Sequence, residues 1–176
     1  TNNNFSAIDF VRRIFGLTGP ALSISTACSS SAKVFAAAQR YIDTGLCDAA
    51  LVGGVDSLCL TTLYGFNSLD LVSSEPCRPW DEERRGISIG EAAGFALLER
   101  QSDAPSACRL LGYGESSDAY HMSAPHPQGA GAALAMQQAL DRAGITTREV
   151  DYINLHGTAT PSNDAAEDQA VTSLFD

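Results

Sequence analysis

The chain has 176 residues, 44% of them hydrophobic and 18% charged, which suits a globular protein with a sizeable core. A formal net charge of −10 and a pI of about 4.6 argue against nucleic-acid binding, which draws on a basic patch. No apolar run approaches the roughly 20 residues needed to span a bilayer, and no secretory signal pattern is visible. Five cysteines (28, 47, 59, 77 and 108) form no CxxC pair, and no histidine stands at zinc-finger spacing, so no metal site is expected. An odd count without close spacing suits a reducing cytoplasm better than a disulfide framework. The first residues, Thr1-Asn2-Asn3-Asn4, lack a methionine, and the last, Ser173 to Asp176, fall within or just after an expected helix; both ends read as cut.

In chain order, Phe5 to Phe15 reads as a helix with Phe5, Ile8, Val11 and Phe15 on one side, stopped by Gly16. Ala21 to Ser25 reads as a short buried strand. Ser29 to Thr44 reads as a helix with Val34, Ala37, Ala38, Tyr41 and Ile42 on one face and Gly45 as its terminator. Ala49 to Val55 is a second apolar strand, so strand–helix–strand implies a parallel crossover and α/β architecture. Leu58 to Leu71 is helical in part, Ser73 to Gly86 is a polar loop, and Gly94 to Glu99 is a strand. Gln101 to Ala107 is a small-residue connector and the best candidate domain boundary. Arg109 to Gly114 reads as a strand, Ala130 to Ala143 as a helix ended by Gly144, and Tyr152 to Leu155 as a strand. A last helix starts near Ala165, with Asn163 or Asp164 as its cap.

Cys28 falls where the Ala21–Ser25 strand turns into a helix. The unpaired N–H groups of a helix N-terminus favour a thiolate over a thiol. Ala27, Ser29, Ser30 and Ser31 leave room for a substrate. The plain alternative, a buried structural cysteine, fits this setting less well. His156 directly follows the Tyr152–Leu155 strand, and strand C-terminal ends are where open α/β sheets place ligands. Gly157 permits close backbone approach, and Thr158 and Thr160 present two hydroxyls on one side. For His121 and His126, in a loop, a structural role is the better reading. Cys28 with His156 suggests thiol acyl chemistry, and a cysteine hydrolase fits that much.

Two segments decide further. Gly19-Pro20-Ala21-Leu22-Ser23-Ile24-Ser25-Thr26-Ala27-Cys28-Ser29-Ser30 and Asn154-Leu155-His156-Gly157-Thr158-Ala159-Thr160-Pro161-Ser162-Asn163-Asp164 closely resemble two signatures of the elongating β-ketoacyl-acyl-carrier-protein synthases. Val52 to Asp56, Arg78 to Asp81, Gly90 to Gly94 and Ser116 to Met122 resemble the family's connecting blocks in the same order. The resemblance implies a thiolase-like α/β fold, two duplicated halves in α-β-α-β-α layers, present here only in part. Residues 1–101 would end the nucleophile-bearing half, 102–108 the connector, and 109–176 would begin the His-bearing half.

The resemblance also implies the chemistry. Cys28 would take an acyl group from a phosphopantetheine thioester on an acyl carrier protein. Malonyl-carrier would then lose CO₂ and attack that acyl group, leaving a 3-oxoacyl chain two carbons longer. His156 would be one of two histidines serving the decarboxylation, and the Cys28 N–H an oxyanion donor. Thr158 and Thr160 match positions that bind the pantetheine arm, Phe66 a gating phenylalanine, and Glu167 a glutamate paired with a lysine. No cofactor is held tightly; the phosphopantetheine arrives on the carrier. Family members are normally homodimers, pairing through the segment here at Ala21–Ser25.

Three departures stand out. The family's lysine, second histidine and glycine-rich loop would lie beyond Asp176, so the 176 residues alone are expected not to condense. Asp70 stands near a place where relatives use a basic residue to dock the carrier. Ser73 to Arg78 is shorter than the matching loop in common fatty-acid enzymes, which points toward a polyketide or polyene pathway. A non-catalytic, chain-length-factor-like partner subunit is the alternative, and a thiolase or initiating synthase a third reading that the His156 block disfavours.

Overall fold

The computed structural model describes residues 3–100 and 108–175. Five α-helices, two strands and one short 3-10 helix are formed among them. The chain divides into two units, Thr1–Ser57 with Glu91–Arg109, and Leu58–Gly90 with Leu110–Asp176. The connector expected at 102–108 lies, apart from Cys108, outside the described residues.

In the first unit, helix α1 (Ser6–Phe15) carries Asp9 in its first turn and Arg12 and Arg13 in its last, the order the helix dipole favours. Gly16, at φ 61°, ends it. Helix α2 (Ser30–Asp43) buries Ala36, Ala37, Ala38 and Ile42. The expected face is thus the buried one, with Val34 and Tyr41 half-buried along its flank. Gly45 stands just past the C-cap Thr44, at φ 73°. Its N–H reaches the Ile42 carbonyl and the Leu46 N–H reaches that of Tyr41, so the helix closes in a Schellman motif.

Strand β1 (Ala49–Asp56) packs against α2 and pairs antiparallel with β2 (Ala92–Glu99), Val52 opposite Ala96 and Gly54 opposite Gly94. Val52 is the buried centre of β1. Gly54 is required where it stands: a β-carbon there would lie 2.2 Å from Ser31 Oγ, in the first turn of α2. The lack of a side chain lets the strand approach the start of that helix.

The second unit contains α3 (Leu60–Asn67), α4 (Ala130–Ala143), the 3-10 turn Thr147–Glu149 and α5 (Pro161–Phe175). Helices α4 and α5 pack through small residues, with Leu140, Ala166 and Ala170 buried. Helix α5 begins at Pro161, earlier than expected. Proline at a first helical position carries a preset φ and loses no needed N–H. Asn163 and Asp164 therefore lie inside the first turn rather than at the cap.

Three expected strands are not formed. Ala21–Ser25, Arg109–Gly114 and Tyr152–Leu155 have no paired neighbour among the described residues, and β1 pairs antiparallel rather than by a parallel crossover. Apolar, β-branched sequence favours extended backbone, but a strand exists only where a neighbour supplies the hydrogen bonds. Among the described residues, no helix is long and apolar enough to cross a membrane.

Candidate active site

Cys28 occupies a tight turn in the first unit. Ala27 before it sits in the left-handed region at φ 54°, and Ser29 after it is the N-cap of α2. A non-glycine residue held there costs on the order of 1–3 kcal/mol and persists only when its surroundings impose it. Here serine hydroxyls impose it. Ser30 Oγ donates to the Ala27 carbonyl (2.7 Å) and accepts the Thr26 N–H (2.8 Å), while Ser29 Oγ donates to the Thr26 carbonyl (2.9 Å). The Ser30 N–H also reaches the Ala27 carbonyl at 3.1 Å. These bonds fold the backbone around the cysteine and leave its side chain exposed. A sharp, strained entry into a helix that presents a nucleophile is the geometry acyl transfer calls for.

The second unit brings His156, Thr158, Thr160 and Glu167 together. Glu167 projects from the second turn of α5 toward the loop that precedes the helix. Its Oε1 accepts the main-chain N–H of His156, and its Oε2 accepts that of Gly157 (3.0 Å) and the side-chain amide of Asn163 (3.3 Å). The carboxylate holds the backbone and leaves the His156 ring exposed. Thr158 Oγ1 and Thr160 Oγ1 are 2.7 Å apart, so the two hydroxyls share one side as expected, with Thr160 buried. Between them Ala159 is wholly buried at φ 58°.

Phe66 lies half-buried in α3, in the same unit as His156, and its carbonyl accepts the N–H groups of Leu69 and Leu71. Asp118, in the Ser116–Met122 block, has an organising role that its sequence position did not disclose. Its two carboxylate oxygens accept the N–H groups of His126 (2.9 Å) and Gly131 (2.8 Å), tying the loop of His121 and His126 to the start of α4. Tyr120 stacks edge-on against His126 at 5.0 Å. These contacts support the structural reading of His126.

Sequence reasoning also missed the lining of the His156 loop. Cys77 Sγ lies 3.8 Å from the Gly157 carbonyl oxygen. Trp80 N–H donates to Asp164 Oδ2 at 3.0 Å, and Arg84 Nε sits 3.1 Å from the same oxygen. That ion pair is close without being aligned as a hydrogen bond, and Asp164 Oδ1 has no hydrogen-bond partner among the described residues. The available signals were the Arg78-Pro79-Trp80-Asp81 block and Asp164 as a cap candidate; neither discloses that the two meet.

The β-ketoacyl synthase N-terminal domain matches residues 9–104, and the β-ketoacyl synthase C-terminal domain matches residues 107–176. The chain belongs to the β-ketoacyl synthase family, and its fold is part of the thiolase-like α/β fold of ketosynthases. It is 38% identical over 164 residues to the 3-oxoacyl-[acyl-carrier-protein] synthase 2 of Vibrio cholerae, covering 86% of this chain and 40% of that one. Among solved structures it resembles the ketosynthase ApeO of Xenorhabdus doucetiae, determined in complex with its chain length factor ApeC. That similarity has a TM-score of 0.90 and 48% identity, and covers 95% of this chain and 41% of the other. A type II polyketide ketosynthase determined with its acyl-carrier protein, AntDE:AntF, matches at TM-score 0.89 and 29% identity over 97% of this chain and 45% of that one. The chain thus spans about two-fifths of the length of these relatives.

Proposed function

We propose that the chain carries the nucleophile and the first catalytic histidine of an elongating β-ketoacyl-acyl-carrier-protein synthase. The observation that carries this reading is the Cys28 turn: an exposed thiol on a strained backbone at the start of α2, with serines on its far side. The Cys28 sulfur attacks the carbonyl of an acyl thioester, and the pantetheine thiol leaves with a proton. A malonyl thioester then loses CO₂, and the resulting enolate carbon attacks the Cys28-bound acyl carbon. The cysteine is released, and the product is a 3-oxoacyl thioester. His156 stabilises the developing negative charge on the malonyl thioester oxygen. Thr158 and Thr160 hydrogen-bond the pantetheine arm, Phe66 gates access to Cys28, and Glu167 supports the site from α5.

The partner that delivers both substrates is an acyl carrier protein, and the place of action is the cytoplasm. A relative solved with its acyl-carrier protein supports the carrier. A second copy or a homologous subunit pairs through the Ala21–Ser25 segment, which is unpaired among the described residues. The reading as a non-catalytic, chain-length-factor-like subunit is the weaker one, because the turn presents a thiol. The test is mass spectrometry of the protein from its source after incubation with an acyl-carrier thioester. An acyl adduct on the Cys28 peptide is expected; a clean Cys28 peptide with carrier thioester still intact would remove the catalytic reading.

A further inference from the structure

We infer that Ser30 is a positioning residue for acyl transfer, its hydroxyl aiming the Cys28 N–H. Successive peptide groups lead into Cys28, and a serine hydroxyl holds each of them. Ser30 Oγ accepts the Thr26 N–H at 2.8 Å, which belongs to the Ser25–Thr26 peptide. Ser29 Oγ donates to the Thr26 carbonyl at 2.9 Å, which belongs to the Thr26–Ala27 peptide. Ser30 Oγ donates to the Ala27 carbonyl at 2.7 Å, and that carbonyl shares a peptide plane with the Cys28 N–H. In a trans peptide the two groups point in opposite directions, so a bond that fixes the Ala27 carbonyl also fixes the line of the Cys28 N–H. The Cys28 N–H itself donates to no acceptor among the described residues.

The Ser30 oxygen is tied at both ends: its proton goes to the Ala27 carbonyl, and a lone pair takes the Thr26 N–H. The Ser30 N–H, 3.1 Å from the same carbonyl, closes the turn with or without the hydroxyl. Ser29 Oγ bonds Thr26, at its carbonyl and its hydroxyl, and does not reach the plane that carries the Cys28 N–H. Ala27, at φ 54°, is in a conformation that disfavours a side chain, so without the Ser30 hydroxyl that plane relaxes. Relaxation turns the Cys28 N–H away from the oxygen that becomes negative when the sulfur adds to an acyl carbonyl, where a fixed donor matters most. Alkylation by iodoacetamide displaces iodide at a saturated carbon and develops no such oxyanion. The two reactions of one sulfur therefore separate the direction of the N–H from the exposure of the thiol. That Cys28 takes an acyl group rests on the function proposed above; the tie between Ser30 and the Cys28 N–H does not.

The experiment compares the 176-residue chain with Ser30→Ala and Ser30→Thr, with far-UV circular dichroism as the check of folding. Peptide mass spectrometry follows acylation of Cys28 by an N-acetylcysteamine thioester and, separately, its alkylation by iodoacetamide. NMR follows the Cys28 amide resonance and the Ala27 backbone coupling constant. Ser30→Ala is expected to slow acylation about 10- to 100-fold, the scale of misplacing one oxyanion donor, and to leave alkylation within about twofold. It should also move the Cys28 amide and the Ala27 coupling. Ser30→Thr, which keeps the hydroxyl, should hold the wild-type values throughout. Where Ser30→Ala loses helicity, the comparison is read from Ser30→Thr against Ser30→Val, which share a shape and differ in the hydroxyl. Unchanged acylation in a folded variant without the hydroxyl, or acylation and alkylation falling together, would overturn the inference. A wild-type chain that takes no acyl group counts against the proposed function. The NMR comparison then decides the inference, and an unmoved Cys28 amide and Ala27 coupling without the hydroxyl would overturn it.

Discussion

Glu167 holds His156 by its backbone: the two oxygens of one carboxylate accept the successive N–H groups of His156 and Gly157. The sequence resemblance assigned this glutamate a lysine partner. Among the described residues its hydrogen-bond partners are those two amides and the Asn163 side chain. Two adjacent N–H groups aimed at one anion require an acceptor at both oxygens. Glu167→Gln supplies one acceptor and turns an NH₂ group toward the other donor. It should cost about 2 kcal/mol, the range for hydrogen bonds to a charged group. Glu167→Ala should cost about as much and loosen the loop further. Urea denaturation of both variants checks the stability, and the His156 and Gly157 amide resonances check the cause.

Arg84 and Asp164 form a pair with side chains 22% and 1% exposed. Arg84→Gln leaves the carboxylate buried without its counter-charge, a change that costs about 3–5 kcal/mol in such settings. Arg84→Gln with Asp164→Asn should cost less than the sum of the single changes. A double-mutant cycle by denaturant unfolding measures the difference.

Gly54→Ala places a methyl group where Ser31 Oγ now stands. The Ser31 hydroxyl must rotate away and its β-carbon, 3.1 Å from the new methyl, must give by a few tenths of an ångström, at about 1–3 kcal/mol. Because the first turn of α2 follows Cys28, alkylation of Cys28 should change rate along with stability, while Gly94→Ala, with open space around its β-carbon, leaves the Cys28 rate as it was.

Cys59 precedes α3 as its N-cap, with its sulfur 3.2 Å from Thr62 Oγ1. The Thr62 hydroxyl and then its N–H hold the Cys59 thiol below the ordinary value of 9.0. Thr62→Val removes the first of these. The midpoint of the pH–rate profile for iodoacetamide on Cys59 should move up in that variant, and an unmoved midpoint would contradict the assignment.

Thr146 and Glu149 close a capping box around the 3-10 turn, the carboxylate accepting the Thr146 N–H (2.8 Å) and hydroxyl (2.9 Å). The N–H first, then the hydroxyl, lower the Glu149 carboxyl below its ordinary 4.5. A depressed carboxyl favours the folded chain at pH above its unfolded value, and that advantage is lost as the pH falls through the folded value. Thr146→Ala removes the hydroxyl contribution, so the Glu149 titration followed by NMR should move up toward the ordinary value.

Local order was legible where neighbours in sequence decide it. The α2 face of Ala37, Ala38 and Ile42 follows from helical spacing, and α4 ends where Gly144 stops it at φ 67°. Cys28, His156, Thr158 and Thr160 stood out as residue types in two long motifs, whose family the similarity over both domains bears out. The two threonine hydroxyls do meet, but through the left-handed turn at Ala159 (φ 58°) rather than through the alternation of an extended segment.

Other features depended on residues distant in the chain. The Ala49–Asp56 run announces a strand, but its antiparallel partner at Ala92–Glu99 is chosen by through-space hydrogen bonding. Ala21–Ser25 has equally strand-like sequence and no partner among the described residues. Glu167 reads as a helix glutamate until the loop before α5 folds back over it. Asp164 reads as a cap until Trp80, 84 residues earlier, donates its N–H to it. Sequence alone determined the helices and their stops, because each depends on bonds within a few residues. Tertiary structure decided which carboxylate holds which backbone, because a buried charge takes its partner from whatever donors the fold brings within about 3 Å.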